Sequence, residues 1–249
     1  MGLHLPTLYN FDFDYPAFFL DLKTRLFVIS GKPERDVTNV VDVRYGLKCG
    51  QEIGYERYGA VGGLLNGHHV VICGGRLTKP STYFNNCLTK NLIDGNETEI
   101  EMSSGRMKAA SIHINESTLW IVGGYNKSLS YNTTEFIDLE NGSSIGPQLP
   151  FALYGHCMVY LNESAVFISG GSLDYKITNK SWISNPKDEF KFLPIAPMIK
   201  SRRYHSCAKF INENGKVMIM VAGGEDEYRN KLETTEIFDS GTNKWQSGV

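Results

Sequence analysis

The chain has 249 residues, of which 41% are hydrophobic and 12% aromatic, and its formal net charge is −2. This nearly balanced charge and the lack of a long apolar run exclude a general electrostatic surface for nucleic acid and a membrane-spanning helix. Thirteen Tyr, thirteen Phe and many Val and Ile favour strands over helices, so we expect an all-β protein.

The N-terminal residues 1–14 precede the first strand-like segment, and we expect a leader there and a folded domain over residues 15–249. The leader lacks the basic region and apolar core of a secretory signal. Pro6 stands where a myristoylation signal has Ser or Thr. Strand-like segments follow at residues 17–22, 26–31, 38–43 and 47–55.

One pattern recurs along the chain, an apolar strand that ends in two glycines. Its clear copies lie at residues 69–75, 119–124, 166–171 and 218–224, and a weaker copy ends in the single Gly31. The first glycines of the four pairs are 49, 47 and 53 residues apart, a spacing typical of repeat architectures. We predict a structural role for the eight paired glycines, which are Gly74, Gly75, Gly123, Gly124, Gly170, Gly171, Gly223 and Gly224.

Each repeat contains four strand-like segments, which we label A to D in chain order. In the second repeat, strand A ends at Asn66-Gly67, a strong signal for a two-residue hairpin turn, and strand B ends at Gly74. Strand C is clearest at residues 133–138 and 234–239. Strand D is the least regular, and we place it at Trp245, near residues 190–194 and near residues 148–150.

Four short antiparallel strands repeated about five times predict a β-propeller with one four-stranded blade per repeat. A single blade is hydrophobic on both faces, so its neighbours must supply the core. The predicted blades cover about residues 15–56, 57–104, 105–151, 152–200 and 201–249.

The chain resembles the kelch repeat family. The resemblance is carried by an Arg at the start of most repeats, the Gly-Gly pairs, a Glu-x-aromatic-Asp-like strand C, and a Leu-Pro-Met tail. Gly31 and Leu153, which stands where an Arg is expected, depart from the pattern. The resemblance implies a kelch-type β-propeller, a fold that usually has six or seven blades. With about five counted, this chain is either a small ring or a piece of a larger one, and we favour the piece.

The five cysteines, at positions 49, 73, 87, 157 and 207, show no spacing typical of a zinc site. A buried free thiol is one interpretation for a strand position such as Cys73. The alternative is that Cys73 pairs with Cys87 across one loop. The sequence leaves both open.

No catalytic or cofactor pattern stands out. His156 and His205 occupy similar places in consecutive repeats, and the repeat itself explains this better than a metal site. Some kelch-like propellers are enzymes, but no phosphate-binding, dinucleotide-binding or nucleophile motif is found. We therefore expect a non-enzyme without catalytic residues, metal or cofactor.

The loops offer a better functional candidate. Because strands alternate in direction, the B–C loops and D–A connections emerge on one face, and the A–B and C–D turns on the other. The B–C and D–A segments are variable and rich in Tyr and Arg, the residues that most often anchor protein interfaces. The predicted partner-binding residues are Arg57, Tyr58, Arg76, Tyr83, Arg106, Tyr125, Tyr154, Tyr175, Arg203, Tyr204, Tyr228 and Arg229. The alternative is that these are solvated loop residues and that the repeat-opening Arg pairs with a carboxylate of its blade.

The chain also has an excess of N-glycosylation sequons. Seven Asn residues precede x-Ser/Thr, namely Asn96, Asn115, Asn126, Asn132, Asn141, Asn162 and Asn179. Each is a glycan site only in a secreted chain, and Asn and Ser are also common in turns. We expect a secreted or extracellular protein, with a cytoplasmic one as the alternative.

The sequence thus favours a non-catalytic module that binds a protein or peptide through the B–C and D–A face, with no nucleic acid partner and no membrane insertion. Two alternatives stay open. One is the substrate-recognition domain of an intracellular cullin-type ubiquitin ligase adaptor or an actin-binding scaffold, which the family resemblance suggests. The other is a propeller enzyme or carbohydrate-binding protein.

Overall fold

The structure is a computed structural model that describes residues 57–77, 80–185 and 189–248, together with the backbone of three strands between residues 17 and 42. Its regular elements are β-strands, and the described residues include no helix capable of spanning a membrane. The expectation of an all-β protein is confirmed for this part of the chain. The leader 1–14, Gly31, Cys49 and the segment 47–55 lie outside the described residues.

The first three strands correspond to strands A, B and C of the first repeat. They are β1 (Ala17–Leu20), β2 (Arg25–Ile29) and β3 (Asn39–Asp42). They pair antiparallel in that order, and we call them sheet 1.

The second and third repeats each form a four-stranded antiparallel sheet and a short hairpin. Residues 57–104 contain β4 (Val61–Leu65), β5 (His69–Cys73), β6 (Arg76–Leu77), β7 (Thr82–Tyr83), β8 (Asn86–Asn91) and β9 (Glu97–Glu101). Residues 105–151 contain β10 (Ala110–His113), β11 (Thr118–Val122), β12 (Tyr125–Asn126), β13 (Leu129–Ser130), β14 (Thr134–Asp138) and β15 (Gly142–Ile145). Sheet 2 has the order β4-β5-β8-β9 and sheet 3 the order β10-β11-β14-β15, while β6–β7 and β12–β13 are hairpins within the B–C loops.

The fourth and fifth repeats follow the same order. Residues 152–200 contain β16 (Leu153–Tyr154), β17 (Cys157–Asn162), β18 (Ala165–Ser169), β19 (Ser172–Leu173), β20 (Lys176–Ile177), β21 (Ser181–Ser184) and β22 (Phe192–Ile195). Residues 201–249 contain β23 (Ser206–Ile211), β24 (Val217–Ala222), β25 (Thr235–Asp239) and β26 (Lys244–Ser247). Sheet 4 is β17-β18-β21-β22 and sheet 5 is β23-β24-β25-β26.

The placement of strand D in the third repeat at residues 148–150 is wrong. The chain turns directly after strand C, where Gly142 has a φ of +77°. Strand D is therefore β15, which ends before residue 148. Leu149 is instead buried, because it packs into the apolar layer between sheets 3 and 4.

Strand B is the most buried strand in each of sheets 2 to 5. In β11 the four residues Leu119–Val122 are each 0% exposed, because apolar layers cover both faces of the sheet. Burying such side chains contributes about 1.5–3 kcal/mol each. The layers between successive sheets contain Val71, Leu119 and Ile121 (sheets 2 and 3), Trp120, Val166 and Trp182 (sheets 3 and 4), and Phe167, Ile219 and Phe238 (sheets 4 and 5).

The glycine pairs lie where one sheet meets the next. Gly74 and Gly75 have φ values of +63° and +89°. A Cβ on Gly74 would overlap the carbonyl oxygen of Arg106, which opens the next repeat. The N–H of Gly75 donates to that same oxygen over 2.8 Å. Both positions therefore require glycine for two reasons. The backbone is left-handed, and a backbone segment of the next repeat approaches closely.

The described residues contain two disulfides, one within a sheet and one between two sheets. Cys73 pairs with Cys87 between strands B and C of sheet 2, which is the second of the two alternatives that the sequence left open. Cys157 pairs with Cys207, with a Cα–Cα distance of 6.0 Å. This second bond joins the A strands of sheets 4 and 5 and was not predicted.

Candidate functional site

Four equivalent segments lie side by side at the start of the A strands of sheets 2 to 5. Their third residues, Gly59, Lys108, Gly155 and Tyr204, all have a left-handed backbone, with φ between +53° and +68°. Lys108, Gly155 and Tyr204 each donate the N–H to the carbonyl oxygen of the equivalent residue in the preceding repeat. The N–O distances are 2.7 Å (Lys108 to Gly59), 2.8 Å (Gly155 to Lys108) and 2.7 Å (Tyr204 to Gly155). This chain of hydrogen bonds brings one segment from each of four sheets to the same place.

The B–C loops meet these segments. The residue after each glycine pair forms an antiparallel bridge with the second residue of its own repeat. The bridged pairs are Tyr58 with Arg76, Met107 with Tyr125, Tyr154 with Ser172, and Arg203 with Glu225. The D–A connections and B–C loops of four repeats therefore form one continuous surface.

Eight side chains cluster on this surface, and we call them the aromatic–basic cluster. Its members are Tyr58, Arg76, Tyr83, Lys108, Tyr125, Tyr154, Arg203 and Tyr204. Tyr154 is at the centre and is the buried base of the cluster, 9% exposed, with its ring centroid 4.6 Å from that of Tyr125 and 6.5 Å from that of Tyr204. The Arg203 guanidinium donates to the Tyr154 hydroxyl over 3.2 Å.

Lys108 lies between two rings of the cluster. Its ammonium nitrogen is 3.8 Å from the ring centroid of Tyr204 and 5.4 Å from that of Tyr58, both within cation–π range. Burial, followed by the repulsion of Arg203, lowers the pKa of Lys108 to about 8. The side chain therefore carries its positive charge at neutral pH in a poorly hydrated place.

Glu225 is a carboxylate within this group of cations. It accepts from Nη2 of Arg203 over 2.6 Å and lies 3.5 Å from the ammonium nitrogen of Lys231. Glu225 is buried, and its partner Arg203 is partly buried. The contact demonstrates that this surface can hold a carboxylate in a charge-assisted hydrogen bond.

The hydroxyls of Tyr125 and Tyr204 remain protonated over the physiological range. Burial raises the pKa of Tyr125 and of Tyr204. Neutral tyrosines offer both a hydroxyl hydrogen bond and a flat apolar ring. The cluster can thus pack against and hydrogen-bond an extended chain.

Two of the predicted partner-binding arginines are not on the surface. Arg57 is 5% exposed and Arg106 is 1% exposed. Arg106 donates to the carbonyl oxygens of Gly123 and Thr133 and forms an ion pair with Glu135. This matches the alternative in which the repeat-opening Arg serves its own blade, so we leave both out of the binding surface.

Arg202 repeats this arrangement in sheet 5. Its guanidinium donates to the carbonyl oxygens of Gly223 and Thr234 and pairs with Glu236 at 2.6 Å. The Glu236 carboxylate also accepts the N–H groups of Ile199 and Lys200. Buried charges of this kind fix the glycine-pair loop in place.

Three further predicted residues lie away from the cluster. Tyr175 is 64% exposed, and its hydroxyl donates to the carbonyl oxygen of Ser128 in the B–C loop of sheet 3. Tyr228 is 77% exposed and Arg229 is exposed, both in the B–C loop of sheet 5. They could extend a binding surface beyond the cluster.

His156 and His205 are buried, with 6% and 7% of their surface exposed. Burial lowers the pKa of each to about 3, with Arg202 adding to the shift for His205. Nε2 of His205 is 3.0 Å from the hydroxyl of Ser169 in the neighbouring sheet. Among the residues described, no three His, Cys, Asp or Glu side chains converge in a way that could hold a metal ion.

Lys108 was missed by sequence reasoning, although a signal existed. It follows Arg106 by two positions, as Gly59 follows Arg57 and Tyr204 follows Arg202. Aligning the repeats at these arginines places a lone Lys among glycines and an aromatic residue.

In comparisons with known proteins, no protein-family model matches this chain, and no curated protein is significantly similar to it.

Proposed function

We propose that this chain is a non-catalytic interaction module that binds a protein or peptide through the aromatic–basic cluster. One observation carries the proposal: Tyr, Arg and Lys side chains from four sheets converge on one surface. Tyr and Arg are enriched at the energetic centres of protein interfaces. Cluster members such as Arg76, Tyr83 and Tyr125 are half-buried, so they are held in place while part of each side chain faces solvent.

We further propose that the sheets are blades of a kelch-type β-propeller. The repeated strand order, the stacked apolar layers and the glycine pairs support it. Gly74, Gly123 and Gly170 each approach a carbonyl oxygen of the following repeat, as glycines at the junctions of successive blades would.

The proposal can be tested by selection from a displayed library of random peptides on the immobilised chain. Peptides enriched on the wild type are expected to bind Arg76→Ala and Tyr83→Ala about tenfold more weakly or worse, which corresponds to a loss of about 1.4 kcal/mol or more. Glu140→Ala is the matched control, because Glu140 is exposed in the C–D turn of sheet 3. Peptides that depend on Glu140 and not on the cluster, or no enrichment at all, would contradict the proposal.

A further inference from the structure

The disulfides bear on where this chain folds. Cys73–Cys87 and Cys157–Cys207 pair all the cysteines that lie within the described residues. Disulfides form and persist in oxidising compartments such as the secretory pathway. That pathway is also where asparagine sequons receive glycans, so the surroundings of each sequon become informative.

The sequons differ in where they lie in the fold. Asn115 and Asn162 occupy the A–B turns of sheets 3 and 4, and Asn96 and Asn141 occupy the C–D turns of sheets 2 and 3. Asn126, Asn132 and Asn179 lie in B–C loops, on the side of the aromatic–basic cluster.

Asn115 and Asn162 share one local geometry. Each is exposed at the tip of its turn. Oδ1 of Asn115 accepts from the N–H and the hydroxyl of Ser117, over 2.9 and 3.2 Å. Oδ1 of Asn162 accepts in the same way from Ser164, over 2.9 and 3.1 Å. The sequon hydroxyl thus donates to the amide oxygen, and within the described residues no hydrogen bond engages the amide nitrogen of Asn115 or Asn162.

Asn126 and Asn179 show the opposite arrangement. Nδ2 of Asn126 donates to the hydroxyl of Tyr131 over 2.6 Å, and Nδ2 of Asn179 donates to the carbonyl oxygen of Met198 over 2.9 Å. Tyr131 is 9% exposed and Met198 is 1% exposed. A sugar on either nitrogen would have to occupy space that the folded chain fills.

We propose that Asn115 and Asn162 are N-glycosylation sites of this protein, and that Asn126 and Asn179 are not glycosylated. In the reaction, Nδ2 bonds to the anomeric carbon of a sugar carried on a lipid diphosphate. The bond from that carbon to the diphosphate oxygen breaks, the diphosphate leaves with the electron pair, and the amide nitrogen gives up one proton. The glycosyl diphosphate is the co-reactant, and no oxidant or reductant is consumed.

The two glycans have a structural consequence. Strand A runs from the aromatic–basic cluster to the A–B turn, so Asn115 and Asn162 are at the opposite ends of their strands from the cluster. Glycans there would cover one face of the stacked sheets and leave the cluster uncovered. The two faces would then differ in whether a large partner can reach them.

The test is to express the chain behind a cleavable signal peptide in mammalian cells and to map glycans in both medium and lysate. Enzymatic deglycosylation in heavy-oxygen water marks each formerly glycosylated Asn as a heavy Asp. We expect occupancy of Asn115 and Asn162 in most molecules, background levels at Asn126 and Asn179, and recovery of the Cys157–Cys207 peptide pair before reduction.

Paired serine variants provide the control. Ser117→Ala should remove the glycan at Asn115, while Ser117→Thr, which keeps a hydroxyl, should retain it. Ser164→Ala and Ser164→Thr should have the same effects on the glycan at Asn162. Unoccupied Asn115 and Asn162 in both medium and lysate would overturn the proposal. Occupied Asn126 or Asn179 in folded, secreted protein would overturn the selectivity argued from their Nδ2 hydrogen bonds.

Discussion

Lys108 and Tyr204 occupy the same place in two different repeats, and their side chains meet across a glycine. The Lys108 ammonium nitrogen is 3.8 Å from the Tyr204 ring centroid. Between them in the hydrogen-bonded row stands Gly155, where a Cβ would come within 2.5 Å of the Tyr204 ring. The absence of a side chain in one repeat therefore lets the residues of its two neighbours touch.

The burial of Lys108 beside other cations predicts an unusual titration of its ammonium group. Its pKa is lowered to about 8 by burial and by the charge of Arg203, while Glu225 opposes the shift. Arg203→Gln removes a repelling cation and frees Glu225 from its ion pair, and both changes should raise the pKa of Lys108. Carbon-13 NMR of labelled lysine side chains measures the midpoint, with the remaining lysine signals as internal reference. A wild-type midpoint near the ordinary value of about 10.4, or no upward movement in the variant, would contradict this account.

The buried ion pair of sheet 5 predicts a large loss of stability. Arg202 and Glu236 are 0% and 2% exposed, and they pair at 2.6 Å. Arg202→Met leaves the Glu236 carboxylate buried without its cation, so the free energy of unfolding in urea should fall by about 3–5 kcal/mol. Arg229→Met, at an exposed loop position, should change it by less than about 0.5 kcal/mol. Equal effects of the two substitutions would show that burial of the pair does not matter.

The fold was more predictable from the sequence than the site was. The glycine pairs and the Asn66-Gly67 turn are local signals, because each demands a backbone that few other residues adopt. The pairs placed strand B in the four repeats that contain one, and the turn placed the A–B hairpin of the second repeat. Strand D lacks such a signal, and it was misplaced in the third repeat.

The site depends on contacts between repeats, which a local pattern does not encode. The loop Arg residues looked alike in sequence, yet Arg106 is buried against residues of its own repeat, whereas Arg203 is only partly buried. Cys157 and Cys207 are 50 residues apart, and only the stacking of two A strands brings them together. A repeat-by-repeat alignment would have shown that Lys108 and Tyr204 occupy equivalent positions in their repeats.

The buried histidines predict a loss of stability in mild acid. The pKa of His156 and of His205 is about 3 in the folded chain, below the ordinary value of 6.5. The unfolded chain therefore binds more protons, so this stability is complete above about pH 6.5 and falls as the pH drops toward 3. Each histidine contributes a slope of about 1.4 kcal/mol per pH unit in that window.

Urea unfolding at about pH 7, 6 and 5 measures this slope. In His156→Gln one titrating group is gone, so its share of the slope should disappear while that of His205 remains. A variant that loses stability between pH 7 and 5 as steeply as the wild type would exclude His156 as a contributor.

The disulfide between sheets predicts a further, separable loss. Cys157 and Cys207 close a loop with a sequence separation of 50, against 14 for Cys73 and Cys87. By the entropy of loop closure, Cys157→Ala/Cys207→Ala should reduce the free energy of unfolding by about 4 kcal/mol, and Cys73→Ala/Cys87→Ala by about 3 kcal/mol. Guanidinium denaturation without reductant measures both. A much larger loss for the shorter loop would contradict the loop-closure account.

The Cys157–Cys207 bond joins the A strands of sheets 4 and 5, so its removal should also loosen their contact. Amide hydrogen exchange should then be faster in β17 and β23 than in β4 and β10.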